Sequence, residues 1–317
     1  MDTSHVLYGF TDLKNLDSHG PIVLNKAKGA YVYDTNGKKY FDGNSGLWNS
    51  VVGFDHPKMI ATAQKQYQEL SGYHSLFGRI TEPAINLTNK LIEVSPFDEG
   101  KVFFTNSGSE ANDTAVKLLW FMNSHKGMPK KRKIITRYNS YHGVTVGAAS
   151  MTGKPYNDVF GLPLPDFIRS ACPHYWKFGN EGESEESFSS RMAQDLEDVI
   201  EKEGAETIAG FFAEPVMGAG GVIPPSKDYF KLIQPILKKH NIPLIADEVI
   251  CGFGRTGNLW GSITYDIKPD MIIASKCITS GFFPLGAVIA GEEITKELIE
   301  ASYAAEEFPH GFTAGGH

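Results

Sequence analysis

Cysteine is scarce in this chain. There are three, Cys172, Cys251 and Cys277, and they show no paired metal-ligand spacing. That excludes a disulfide framework and points to a reducing compartment, the cytoplasm. A basic excess is also missing. Lys and Arg number 30 against 37 Asp and Glu, a formal net charge of -7. Nucleic acid and anionic membrane surfaces are therefore poor partners. No run is apolar enough to span a bilayer. The opening MDTSHVLYGFTDLKN lacks the basic start and apolar core of a secretory signal. No HExxH pattern or clustered His/Cys spacing offers a metal site. Internal repeats and low-complexity linkers are absent too.

What is there is enough for a large core: 317 residues, 41% of them hydrophobic. Residues 30–33 and 39–41 read as short strands joined by the Asp34-Thr-Asn-Gly37 turn, a hairpin signal. Residues 57–70 and 82–94 have helical periodicity with an early proline. From Lys101 the pattern alternates. KVFFT, KIIT, TIAGFFAEP, IPLIADEV, MIIAS and LGAVIA read as strands. Helical stretches at 109–123, 190–204 and 226–240 separate several of them. Alternation of this kind predicts an α/β protein with a mostly parallel sheet wrapped by helices. The acidic run EGESEESFSS at 181–190 reads as a solvated loop.

Several strand ends carry chemistry. MIIAS runs into Lys276. At the carboxyl end of an interior strand, desolvation lowers a lysine's pKa and leaves the nucleophilic amine that a Schiff base needs. Taken alone, a surface lysine is the simpler reading. KVFFT runs into Ser107, Gly108 and Ser109, whose backbone N–H groups at a helix start suit a phosphate. The plainer alternative is an N-cap on Ser109, with Asn112 nearby. IPLIADEV ends in Asp247 and Glu248. A buried carboxylate needs a partner, and a protonated pyridine nitrogen is one; an N-cap or a metal ligand are the others. Tyr141 and His142 follow KIIT, where an aromatic can stack on a planar ring or fill the core. Glu214 ends another strand before a glycine loop that is otherwise a tight turn. GFGRTG at 252–257 is formally G-x-G-x-x-G, but NLWGSITYD after it does not read as a helix. The dinucleotide context therefore fails and a turn over a site is left. Lys276, Asp247, Glu214, Tyr141 and the Ser107–Ser109 loop all fall where strands of one sheet end. Together they describe a pyridoxal 5'-phosphate site.

The strings TNSGSEANDT, YHGVT, AEPVMGAGGVIPP, ADEVICGFGRTG, SKCITSGFFPLGAV and HGFTAGGH resemble, in order, class III pyridoxal-phosphate aminotransferases. With LYGFTD and NSGLWN, the chain is most similar in appearance to the (S)-selective ω-amine:pyruvate transaminases. The resemblance implies fold type I with a seven-stranded sheet. Residues 57–317 would form the large cofactor domain and residues 1–56 an N-terminal segment of the small domain. Lys276 matches the cofactor lysine that also moves the proton, and Asp247 the aspartate on the ring nitrogen. Tyr141 matches the stacking tyrosine and Val249 the residue on the opposite face. Ser107, Gly108 and Ser109 match the phosphate loop, with His142 and Glu214 beside it. Thr313 matches a threonine reaching the phosphate of a neighbouring subunit, so a homodimer is implied. Phe10, Trp48, Leu76, Phe77 and Val144 match positions lining the substrate pocket. Ala219 stands where glutamate- and GABA-type relatives carry a glutamate, which argues for pyruvate over 2-oxoglutarate as acceptor. Relatives continue for roughly another hundred residues after the last motif, about one small domain. The chain therefore reads as truncated before an arginine that binds substrate carboxylates. The expected reaction is transfer of an amino group from an amine or ω-amino acid to pyruvate. A GABA or β-alanine transaminase, and an inert cofactor-binding fragment, are the alternatives.

Overall fold

Apolar runs of four to six residues dominate the second half of the chain, and in the computed structural model they line up side by side. The structure describes residues 2–317. Three strands near the N-terminus, β1 (Leu24–Lys28), β2 (Tyr31–Asp34) and β3 (Lys39–Phe41), make a separate antiparallel sheet. The β2–β3 hairpin is the expected one. Asp34 closes its turn by accepting from the backbone N–H groups of Asn36 and Lys38, both at 2.9 Å, and Gly37 supplies the positive φ of 80° that the turn requires. β1 adds an edge strand that its mixed, mostly exposed residues do not signal.

The main sheet has seven strands: β4 (Gly100–Thr105), β5 (Lys133–Arg137), β6 (Phe167–Ser170), β7 (Ile208–Ala213), β8 (Leu244–Asp247), β9 (Met271–Ala274) and β10 (Gly286–Gly291). Their order is β4-β10-β9-β8-β7-β5-β6. Neighbours from β9 to β6 pair in parallel. β10 runs antiparallel to both β9 and β4, so the sheet is mostly parallel, as expected. β6 is the strand that apolar pattern does not reveal, because Arg169 sits inside it. That side chain is half-buried and is satisfied from afar. It donates to Thr136 Oγ1 at 2.8 Å, to the Thr152 carbonyl at 3.2 Å, and to the Ser150 carbonyl. Burial without a carboxylate partner pulls its pKa down to about 10.

Helices cover both faces. The Gly108–His125 helix packs Ala115, Leu119 and Met122 against Phe212, Ile245 and Met271 on one side. On the other, the Glu185–Glu203 and Tyr229–Lys239 helices pack Phe188, Leu196 and Ile233 against Phe211 and Leu244. Adjacent residues of β7 thus serve opposite cores, as strand alternation demands. The acidic stretch expected to be a loop is helical from Glu185 onward. Ser184 caps it by accepting from Ser187 N at 3.2 Å, Glu185 and Glu186 lie at the positive end of the helix dipole, and Phe188 is buried. GFGRTG forms turns between β8 and a short Gly261–Thr264 helix inside the stretch expected not to be helical.

Because both faces are covered, Phe211→Ala and Phe212→Ala should each destabilise the protein by about 3–5 kcal/mol in denaturant unfolding. A sheet covered on one face only would show this for one of the pair and under about 1 kcal/mol for the other.

Candidate active site

The carboxyl ends of β4, β5, β7, β8 and β9 bring their following residues into one place, the usual ligand position in an open α/β sheet. After β4 the chain enters the Gly108–His125 helix. The N-cap is Ser107, in extended conformation with φ -156°, and not Ser109. Ser107 Oγ accepts from Glu110 N at 3.1 Å, and Glu110 Oε2 accepts from Asn106 N at 2.7 Å. This reciprocal box leaves Gly108 and Ser109 as the first helical residues, whose N–H groups have no intrahelical acceptor. Ser109 Oγ instead accepts from Val144 N at 3.1 Å and so ties the helix start to the loop after β5. Gly108 is required by close approach. A Cβ there would lie 2.9 Å from Val249 Cγ2.

Asp247 and Glu248 follow one another and point apart, which their sequence alone does not reveal. Asp247 Oδ2 accepts from His142 Nδ1 at 2.7 Å and from Asn112 Nδ2 at 2.9 Å; its Oδ1 accepts from Val249 N at 3.1 Å. Glu248 turns to the opposite side and accepts from Gly261 N at 2.9 Å, Ser262 N at 2.6 Å and Ser262 Oγ at 2.5 Å. It anchors the loop that begins with GFGRTG. Burial raises its pKa despite those donors. Glu214 is likewise structural at both oxygens. It accepts from Tyr141 N and from Gly218 N, each at 3.0 Å, and burial pushes its carboxyl up. Arg137 donates to the Glu214 carbonyl at 2.6 Å from a buried position. The Glu214 bond fixes the backbone of Tyr141, whose ring is half-buried at the site. Burial, together with the Asp247 charge, raises that phenol's pKa.

Lys276 follows β9 with a φ of 48°. A lysine in this left-handed region stores about 1–3 kcal/mol of strain, which the surrounding fold must hold. Burial drives its ammonium pKa down, and the charges of Asp247 and Glu214 oppose that only in part. The result is an amine closer to neutral than a surface lysine, facing a cavity lined by Gly108, Ser109, Tyr141, Asp247 and Val249. His142 and Glu214 line the same cavity.

The structure therefore joins eight of the ten residues expected to hold the cofactor. Ser107 acts from behind as the cap, and Thr313 is exposed and does not line the cavity of its own chain. None of Phe10, Trp48, Leu76, Phe77 and Val144 lines it either. Phe10 lies edge-on to Tyr156 with ring centroids 5.8 Å apart. The Trp48 carbonyl accepts from Arg255 at 3.1 Å. Leu76 N donates to His74 Nδ1 at 3.2 Å, and Phe77 meets His74 edge-on. Val144 is exposed, and its backbone N–H donates to Ser109 Oγ. The neighbour of Asp247 that sequence reading leaves beside the cap is Asn112; its spacing of one helical turn from Gly108 is the available signal.

These groups fit pyridoxal phosphate. Two free N–H groups at a helix end suit a phosphate, Asp247 suits a protonated ring nitrogen, and the missing Cβ at Gly108 leaves room beside Val249. Lys276 supplies an amine with no hydrogen-bonded partner among its perturbing groups.

Comparison with known proteins agrees. The family described as aminotransferase class-III matches residues 14–317. A PMP-bound aminotransferase from Vibrio fluvialis is 62% identical with a TM-score of 0.97, covering 99% of this chain and 69% of that one. An omega-aminotransferase from Paracoccus denitrificans is 61% identical with a TM-score of 0.97, over 99% and 70%. Among curated proteins, the chloroplastic gamma aminobutyrate transaminase 3 of Solanum lycopersicum is 50% identical over 299 residues, 94% of this chain and 58% of the relative. The chain thus spans under two thirds of that relative's length.

Two expectations follow from this geometry. Gly108→Ala forces the helix end away from Val249, an overpacking cost of about 1–3 kcal/mol, so the Kd for pyridoxal phosphate should rise about 5–150-fold; an unchanged Kd contradicts the cradle. A lowered lysine pKa means a larger neutral fraction at pH 7–8 than the ordinary value of about 10.4 allows. Limiting aldehyde with borohydride at pH 7.5, read by peptide mass spectrometry, should therefore label Lys276 ahead of exposed lysines such as Lys202.

Proposed function

We infer the reaction from one premise: the chain belongs to the class III aminotransferases, whose cofactor is pyridoxal phosphate. We propose that it transfers an amino group from an amine or ω-amino acid donor to pyruvate in two half-reactions. The donor leaves as a ketone or aldehyde in the first, and pyruvate leaves as alanine in the second. When bound, pyridoxal phosphate supplies the electron sink that makes the donor's carbon acidic. The chain's own residues do the rest. Gly108 and Ser109 hold the phosphate with backbone N–H groups, Asp247 keeps the ring nitrogen protonated, and Tyr141 and Val249 bracket the ring. Neutral Lys276 Nζ takes the proton from the carbon bearing the donor's amino group and returns it on the acceptor side. The observation that carries this reading is the desolvated Lys276 amine in one cavity with Asp247 and a free helix N-terminus.

The choice of substrates rests on two supports. The solved relatives at 61–62% identity include one titled omega-aminotransferase, while the curated gamma-aminobutyrate transaminases stand at 48–50%. Ala219 occupies the position where the resemblance associates a glutamate with 2-oxoglutarate use. We further propose a cytoplasmic homodimer in which the exposed Thr313 serves the neighbouring cofactor, with residues 1–56 as part of a small domain and residues 57–317 as the large one. The three cysteines are free and buried, which suits a reducing compartment, and no helix of the described residues is long and apolar enough to cross a membrane.

Steady-state assays of 1-phenylethylamine and GABA, each with pyruvate and with 2-oxoglutarate, test this. The amine with pyruvate should give the highest kcat/KM, by about tenfold or more, which is about 1.4 kcal/mol of transition-state binding. A preference for GABA would move the assignment to the gamma-aminobutyrate type. Lys276→Ala should lower turnover by at least about 10²–10⁴-fold, the contribution of a positioned proton carrier.

A further inference from the structure

Asn112 is fully buried in the Gly108–His125 helix, one turn after Gly108. Its side-chain nitrogen has three acceptors around it: the His142 carbonyl at 2.8 Å, Asp247 Oδ2 at 2.9 Å and the Gly108 carbonyl at 3.2 Å. Its Oδ1 is buried with no hydrogen-bond partner. Turning the amide over would place an oxygen against three acceptors, so the surroundings fix its orientation. The amide has two hydrogens, and the two shorter contacts are to Asp247 and to the His142 carbonyl. An amide that leaves its own oxygen unpaired to keep those contacts is held for what it donates to.

Asp247 shows what the donation does. Its Oδ2 is filled by two donors, Asn112 and His142 Nδ1, while Oδ1 has only Val249 N. Two donors on one oxygen fix the carboxylate's rotation and leave the spare acceptor capacity on the other. Asn112 also sits one turn into the helix that starts at Gly108, whose own N–H has no intrahelical acceptor. We propose that Asn112 is a positioning residue: it fixes the Asp247 carboxylate with Oδ1 as the acceptor for the cofactor's ring nitrogen, and it sets the distance between that oxygen and the phosphate-binding helix end. This rests on the reading above in which Asp247 serves the ring nitrogen. The titratable groups near Asp247 are His142, Glu214, Tyr141 and Lys276, with Glu248 and Cys251 on the far side, and Asn112 is the donor side chain that does not titrate.

The test is a double-mutant cycle on the Kd for pyridoxal phosphate, measured by fluorescence quenching with Asn112→Ala, Asp247→Asn and the pair. Asn112→Ala should weaken binding about tenfold, and the same change should have little further effect once Asp247 is Asn, because the two act as one unit. The pH midpoint of the bound cofactor's absorbance change should move in Asn112→Ala and stay put when that change is added to Asp247→Asn. If Asn112→Ala does not fold, Asn112→Ser carries the same cycle, being small, polar and too short to span both acceptors. Additive effects, or an Asn112 variant with unaltered Kd and midpoint beside a weakened Asp247→Asn, would overturn the positioning role alone. Asp247→Asn with unaltered Kd would overturn the ring-nitrogen reading and the proposal with it.

Discussion

A carboxylate cannot be buried without donors, and Asp247 is almost completely buried. Much of the site is a consequence. Its three donors come from three different pieces of chain: the helix after β4, the loop after β5, and the turn after β8 itself. Each must be in place for the charge to be tolerated, so the carboxylate fixes the mutual positions of the phosphate helix, the Tyr141–His142 loop and Val249. Glu214 repeats the pattern one strand away, where its two oxygens hold Tyr141 and Gly218. Both acids thereby tie loops to strand ends, and the loops carry residues that line the cavity.

Lys276 is the counterpart. Burial favours its neutral form, and two nearby carboxylates favour the charged one. Had either carboxylate hydrogen-bonded it, the charged form would have won and the amine would be a structural ion-pair partner. Their hydrogen-bonding capacity is spent largely on other donors: Asn112 and His142 for Asp247, Tyr141 and Gly218 for Glu214. The reactive amine thus depends on how the acids are satisfied elsewhere. The left-handed backbone at Lys276 belongs to the same economy of constraint, since a strained conformation survives only where the packing around it admits no other.

How much of this was legible in the sequence depended on the range of the interactions involved. Lys276, Asp247, Glu214, Tyr141 and the Gly108 loop stand at the ends of apolar runs, and that placement is encoded locally. The same is true of the hairpin turn at Asp34–Gly37. β6 was hidden because the partners that make Arg169 acceptable, Thr136, Ser150 and Thr152, lie 17–33 residues away. The first turn of the Glu185–Glu203 helix was hidden because its charges read as solvated, while the core that buries Phe188 is built from distant strands. The distinction between Asp247 and Glu248 needs to know which side of the sheet is open. The sequence does not distinguish Ser107 from Ser109 as the cap, because they differ in backbone conformation and not in chemistry.

The residues that the resemblance places in a substrate pocket lie apart from the cavity that holds Lys276. Phe10, Phe77 and Val144 are 81%, 83% and 62% exposed, and none shares the cavity with Lys276. The cavity that holds Lys276 is made of strand ends, a helix start and buried polar pairs, all from one stretch of sheet. The apolar side chains that would read an amine's substituent are carried by loops and by the N-terminal segment. A floor fixed by buried carboxylates tolerates little variation, since each change strands a donor or a charge. Exposed apolar side chains on loops can be exchanged at small cost to the fold. In the proposed function, proton transfer at Lys276 and donor choice rest on different parts of the chain. Relatives titled omega-aminotransferase and gamma aminobutyrate transaminase match 99% and 94% of this chain, at 61% and 50% identity.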